Sequence, residues 1–201
     1  EVDRAIRVHQ NLIARPDLSA MHRENALVAL AEDYLSAGLF DRAETLFKEL
    51  RSSTEFRVKA LEKLVRIYEV THDWEPAIEA CSELEKIAPP RQMSGRVAHY
   101  YCELAEEALQ RKDFDVARDF LKLAVSSHHS TVRAQLVLAS VAQESGNHAE
   151  AIKLFRKVME QQPRLIGEVV PRLATSCHAT DNQILLTSIL NDVRGTGLEA
   201  S

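Results

Sequence analysis

Basic, acidic and metal-ligating side chains fall at helical spacing in several parts of this 201-residue chain, and each set admits its own chemistry. Lys59, Lys63 and Arg66 are spaced so that all three cations share one helical face. Such a stripe either engages an acidic peptide or a C-terminal carboxylate, or it is a solvated face whose charge Glu62 and Glu69 offset. Downstream, Glu103, Glu106 and Glu107 follow the tyrosine pair Tyr100 and Tyr101. These are either plain helix formers around a core tyrosine at 101, or a negative face that works with the preceding basic stripe to steer a charged partner.

The soft ligands point away from metal chemistry. His99 and Cys102 lie three apart, Cys177 adjoins His178, and His128 and His129 are in tandem. Zinc requires three or four ligands at one point, and neither Cys-x-x-Cys nor His-Glu-x-x-His spacing occurs. A glycine-rich phosphate loop and a G-x-S-x-G elbow are also missing, and the chain has six glycines in total. The residues therefore predict binding without a catalytic site, a metal or a cofactor in this chain.

The elements that hold these side chains are announced by small residues. Ala5, Ala43, Ala77, Ala117 and Ala151 each open an amphipathic segment, at intervals of 38 (43 − 5), 34 (77 − 43), 40 (117 − 77) and 34 (151 − 117) residues. A period of about 34 is the tetratricopeptide length. Upstream of the marker alanine the same slots recur as Leu27, Leu30, Ala31 and Tyr34, then Leu61, Leu64, Val65 and Tyr68, then Tyr101, Leu104, Ala105 and Ala108, then Leu138, Ala139 and Ala142. Each unit is a pair of antiparallel helices that cannot bury its apolar faces alone, so the small residues admit close approach and the large ones fill the layers. The expectation is an all-α fold, a tetratricopeptide-repeat right-handed superhelical solenoid of antiparallel helix pairs.

Turn chemistry agrees. Asp73, Asp113 and Asn147 stand four residues before a marker, as N-caps of the second helix. Gly38 and Gly146 end the first helix, and Pro89, Pro90 and Pro163 stop second helices. One domain is expected over 1–194: a half repeat 1–16, repeats at about 20–53, 54–90, 94–129 and 130–163, a degenerate repeat 164–194 marked by Leu185 or Leu186, and a small polar tail 195–201. A chain that begins mid-repeat is expected to be a piece of a longer protein. Its half repeat, with Ile6, Leu12 and Ile13, offers an apolar end for a second copy, a homodimer.

A charged fraction of 27% and a net charge of −5 argue against a nucleic-acid partner. No apolar run is long enough to cross a bilayer, and the three separated cysteines Cys81, Cys102 and Cys177 read as buried thiols in a reducing compartment. The repeat frame assigns groove-facing positions on the first helices: Asn25 and Glu32; Lys59, Lys63 and Arg66; His99, Glu103 and Glu106; Arg133 and Gln143. Ala29 occupies the slot where the carboxylate clamp of chaperone-binding repeats needs asparagine, which speaks against a clamp. Phe40, Trp74, Phe114 and His148 share one slot just after the turn and read as packing. The insertion from Pro89 to Gly95 is either a spacer or a contact edge.

The strings Val2–Ile13 (VDRAIRVHQNLI), Asp33–Phe47 (DYLSAGLFDRAETLF) and Ala98–Leu109 (AHYYCELAEEAL) resemble the cytoplasmic repeats of the lipopolysaccharide assembly protein B family of Gram-negative bacteria. The resemblance covers the chain from Val2 to about Cys177. It implies a regulatory adaptor, not an enzyme, that presents the LpxC deacetylase to the membrane protease FtsH and is restrained by an inner-membrane lipopolysaccharide-sensing regulator. It further implies a location on the cytoplasmic face of the inner membrane, with two elements that this chain does not include. These are an N-terminal membrane anchor and a C-terminal rubredoxin-like domain that binds metal through paired Cys-x-x-Cys motifs.

Overall fold

The computed structural model describes residues 1–89, 92–128 and 132–197. Pro90, His129 and residues 198–201 of the tail lie outside them. Among the described residues the chain is all-helical: α1 (Val2–Ile13), α2 (Ala20–Ser36), α3 (Phe40–Leu50), α4 (Arg57–Thr71), α5 (Trp74–Ile87), α6 (Ser94–Gln110), α7 (Phe114–Ser127), α8 (Val132–Glu144), α9 (His148–Gln161), α10 (Ile166–Ala179) and α11 (Gln183–Gly197). A single 3-10 turn, Pro163–Leu165, precedes α10. The chain forms two compact units, Glu1–Tyr100 and Tyr101–Ser201.

Four of the five marker alanines are what the pattern requires of them, while Ala5 in the half repeat is only half-buried. Ala43, Ala77, Ala117 and Ala151 are all 0% exposed, so a larger side chain at any of them would force the paired helices apart. In the first unit α1 packs on α2, α2 on α3, α3 on α4 and α4 on α5, around wholly buried Phe47, Leu61, Val65 and Cys81. In the second, α7 packs on α8, α8 on α9, α9 on α10 and α10 on α11. Phe155, Val158, Val169 and Leu173 form one buried cluster there, and Cys102, Leu121, Ala124 and Val141 belong to another.

The turn between paired helices is one structure repeated five times. The residue five before the marker is left-handed in every copy, as Gly38 (φ +72°), His72 (+63°), Lys112 (+63°), Gly146 (+82°) and Asp181 (+53°). The next residue donates its N–H back to a carbonyl five positions earlier, Leu39 to Tyr34, Asp73 to Tyr68, Asp113 to Ala108, Asn147 to Ala142 and Asn182 to Cys177, all at 2.8–2.9 Å. Because Asp181 lies five before Leu186, the turn selects Leu186 over Leu185 as the last marker.

Side-chain capping is rarer than the sequence suggests. Asn147 accepts from the Glu150 N–H at 3.3 Å, whereas Asp73 accepts from the Thr71 hydroxyl and Asp113 sits 3.6 Å from Arg111. The backbone bond already fixes the turn, as Leu39 shows by serving as an N-cap with no polar side chain, and the two aspartates add only a charge favoured by the helix dipole. Two boundaries also differ from expectation. Gly95 lies inside the first turn of α6 with Met93 buried just before it, so the insertion ends at 93. Helix α11 runs past Arg194 to Gly197. At the first helix, Ile6 is buried and Leu12 and Ile13 are half-buried, which leaves Val2 and Val8 as its exposed apolar residues.

Candidate functional site

In the first unit, α2 and α4 place their expected residues on a shared face. Glu32 accepts from Lys59 and Lys63, each at 3.2 Å. Burial opposes ionisation of Glu32, but the hydrogen bonds from Lys63 and Lys59 outweigh it and hold the carboxyl below its ordinary value of 4.5. The counter-charge for the basic stripe thus comes from Glu32, one repeat earlier. Glu69 is engaged elsewhere: it accepts from Arg96 at 2.6 Å and from the Tyr100 hydroxyl at 2.5 Å. Both aliphatic and aromatic side chains share the groove with the charges. Leu35, Phe40, Ile67 and Val70 line a space of about 440 Å³ together with Glu32, Ser36, Lys63 and Arg66. Asn25 is exposed and donates to the Met21 carbonyl of its own helix at 2.9 Å.

At the end of this unit, Tyr100 rather than Tyr101 is the core tyrosine, at 0% exposure. Its ring stacks on Trp74 at a centroid distance of 5.7 Å, and exposed His99 meets the same indole edge-on at 6.4 Å. Trp74 is accordingly a packing residue, as its slot predicts, and is 8% exposed. Phe40, from the same slot, has a half-buried ring that also forms part of the groove wall.

In the second unit the acidic face is neutralised from the repeat that follows it. Arg133 reaches Glu103 at 2.7 Å and Glu106 at 3.0 Å. Burial alone would lower the affinity of Arg133 for its proton, but the two carboxylates raise it, so the cation is fixed. Gln143 donates to the Arg172 carbonyl at 2.8 Å and to Ser176 Oγ at 2.9 Å, and Arg172 donates to Ser140 Oγ at 3.0 Å. Glu106, Arg133, Ser140 and Gln143 border a groove of about 670 Å³ floored by Leu109, Leu136 and Val137.

Glu168 and Arg172 also line that groove and were missed in the sequence. Counting back from Leu186 finds them: Glu168 (186 − 18) matches Arg133 (151 − 18) and Lys59 (77 − 18), and Arg172 (186 − 14) matches Lys63 (77 − 14) and Glu103 (117 − 14). The ambiguous last marker hid that register. Chemically, these faces offer charged and apolar contacts for a macromolecule. Among the described residues no group of three or more histidine, cysteine, aspartate or glutamate side chains is placed to hold a metal ion. No helix of the described residues is long and apolar enough to cross a membrane.

Known proteins agree with the repeat geometry. The sequence pattern of the tetratricopeptide repeat family matches residues 28–91 and 102–164. The chain is 36% identical over 175 residues to lipopolysaccharide assembly protein B (LapB) of Escherichia coli K12, a match that covers 87% of this chain and 45% of that protein. For the Haemophilus influenzae protein of the same name the figures are 35% over 184 residues, 92% and 46%. The chain therefore spans about half the length of the curated relatives it matches. Among solved structures, MamA superposes with a TM-score of 0.55 at 18% identity, over 85% of this chain and 89% of that one. A MamA segment from Desulfovibrio magneticus RS-1 gives 0.51 at 16%, over 89% and 97%. At those identities they share the fold alone. The repeated turn, the buried marker alanines and the matched segments lead to one assignment: the chain belongs to the tetratricopeptide repeat family and is LapB-like in sequence.

Proposed function

We propose that this chain is the protein-binding part of a regulatory adaptor in lipopolysaccharide biosynthesis, which delivers the LpxC deacetylase to the FtsH protease. The observation that carries this reading is the 36% identity to LapB across 87% of the chain. The first-helix faces support it, since they present paired charges beside apolar floors in both units and thereby suit protein surfaces. The chain acts by binding, without catalysis, at the cytoplasmic face of the bacterial inner membrane. Any anchor and any metal-binding domain belong to parts of the protein outside this sequence, and an inner-membrane lipopolysaccharide sensor is its regulator. In the frame of repeats 20–53 through 164–194, Asn25, Glu32, Lys59, Lys63, Arg66 and His99 are the candidate contacts of the first unit, and Glu103, Glu106, Arg133 and Gln143 those of the second.

The test is capture of purified LpxC and of the cytosolic part of FtsH by the immobilised 201-residue chain. Retention of both is the expected result. Retention of neither refutes the adaptor reading and leaves a tetratricopeptide module with an unrelated partner.

A further inference from the structure

In the repeats that are followed by another first helix, the position eleven residues before the marker follows a rule with one exception. Glu32 (43 − 11) accepts from Lys59 and Lys63 of the next repeat at 3.2 Å. Glu106 (117 − 11) accepts from Arg133 at 3.0 Å, and Ser140 (151 − 11) accepts from Arg172 at 3.0 Å. Each is an acceptor that ties one first helix to the following one. In the repeat marked by Ala77 the same position is Arg66 (77 − 11), which has donors only. Arg66 is exposed, and no ion pair engages it among the described residues.

Its surroundings specify what would satisfy it. The groove that Arg66 lines contains one carboxylate, Glu32, and that carboxylate is already shared by two lysines. The local charge is therefore positive. Beside the cations, Leu35, Phe40, Ile67 and Val70 form an apolar floor, and Val70 is 52% exposed. Basic and apolar ends are separated along α4, since Lys63 and Val70 are seven residues apart. At 1.5 Å per residue that is roughly 10 Å, a distance an extended chain covers in about three residues.

We propose that the groove between α2 and α4 docks a segment of a partner protein in which a carboxylate meets Arg66 and Lys63, and an aliphatic or aromatic side chain about three residues away rests on Leu35, Phe40, Ile67 and Val70. The guanidinium can take a carboxylate in bidentate fashion, while the apolar contact sets which end of the segment lies where. This inference rests on the interaction-module reading and names the chemistry of one of its sites.

Fluorescence anisotropy with the 201-residue chain and labelled, amidated hexapeptides tests it. The probes are EDSGLF and its reverse FLGSDE, with NQSGLF and EDSGSS as controls. One of the two acidic-apolar peptides binds, both controls bind weakly, and Arg66→Ala weakens the interaction by about fivefold. Glu32→Gln tightens it by about threefold, because it removes the carboxylate that competes for Lys59 and Lys63. Circular dichroism checks that these exposed or half-exposed substitutions leave the helices intact. The proposal is overturned if neither acidic-apolar peptide binds, if NQSGLF binds equally well, or if Arg66→Ala leaves affinity unchanged. Capture of LpxC and FtsH separates this from the adaptor reading. If the Arg66→Ala, Val70→Ser double variant captures them as well as the wild type does, docking lies elsewhere and the groove assignment falls alone. If the wild type captures neither but binds the peptide, the adaptor reading falls and the groove assignment stands.

Discussion

Replacing Tyr100 by phenylalanine isolates one polar contact inside the aromatic layer that ends the first unit. The ring of Tyr100 is 0% exposed and stacked on Trp74 at 5.7 Å, so the substitution opens no cavity. It removes a hydroxyl that donates to Glu69 at 2.5 Å and accepts from Arg96 at 3.1 Å. A hydrogen bond to a charged group contributes about 1.5–3 kcal/mol. Glu69 keeps its Arg96 contact at 2.6 Å and its side chain is 36% exposed, so water recovers part of the loss and the expected cost is about 1–1.5 kcal/mol. Trp74 is the chain's one tryptophan and its fluorescence reports this layer even if the repeats do not melt together. With a urea slope of about 2 kcal/mol/M, the midpoint falls by roughly 0.5 M. The deficit also depends on pH. Burial would raise the Glu69 carboxyl, but hydrogen bonds from Arg96 and Tyr100 hold it below 4.5. A depressed carboxylate contributes stability that is full above its unfolded value and is lost as pH falls through the folded one. The gap between variant and wild type should thus be full at neutral pH and shrink below 4.5. A midpoint unchanged at neutral pH, or a deficit equal in acid and at neutrality, would refute this role of the Tyr100 hydroxyl.

Further outcomes can be checked by equally direct measurements. Ala117→Leu, at a fully buried marker, lowers stability by about 1–3 kcal/mol through overpacking, read from thermal unfolding in the far ultraviolet. At the shared left-handed position the sign depends on the resident residue. Gly38→Ala at φ +72° destabilises by about 1 kcal/mol although its surroundings are open, whereas Lys112→Gly at φ +63° stabilises by a similar amount. Glu83→Gln loses a carboxylate that Arg51 above all, and then Arg57, hold below 4.5 against the effect of burial. The cost is about 1 kcal/mol near neutrality and fades as pH drops below that value, as urea titrations at two pH values would show. Cys81, Cys102 and Cys177 are buried, and burial pushes the Cys102 thiol up to about 11. All three should react with a disulfide reagent slowly in buffer and at once in urea, so a thiol titrating rapidly in the native protein would contradict the packing.

Spacing made most of the fold legible because the repeat imposes the same steric demand at fixed intervals. A marker alanine at 0% exposure leaves no freedom of size, so Ala43, Ala77, Ala117 and Ala151 stand out in the sequence. The left-handed turn residue was readable only where glycine reveals it. His72, Lys112 and Asp181 adopt the same conformation because the backbone bond that follows fixes the turn whatever the side chain. Charge pairing was harder to read. The sequence shows that Lys59 and Lys63 share a face, but not that Glu32 of the preceding repeat lies between them at 3.2 Å, since that contact depends on how successive helices stack. Tyr100 and Tyr101 are adjacent on one helix, and only packing against Trp74 decides that Tyr100 is the buried one. The partner is not written in the periodicity at all. It is inferred from similarity to LapB.

The adaptor role is decided by calorimetric titration of purified LpxC deacetylase into the 201-residue chain, beside a Lys59→Glu, Lys63→Glu, Arg66→Glu variant shown to be folded. Saturable binding to the wild type is expected, with an affinity at least about tenfold weaker for the charge-reversed chain. Absence of binding to the wild type, with LpxC active and the chain folded, would contradict that role.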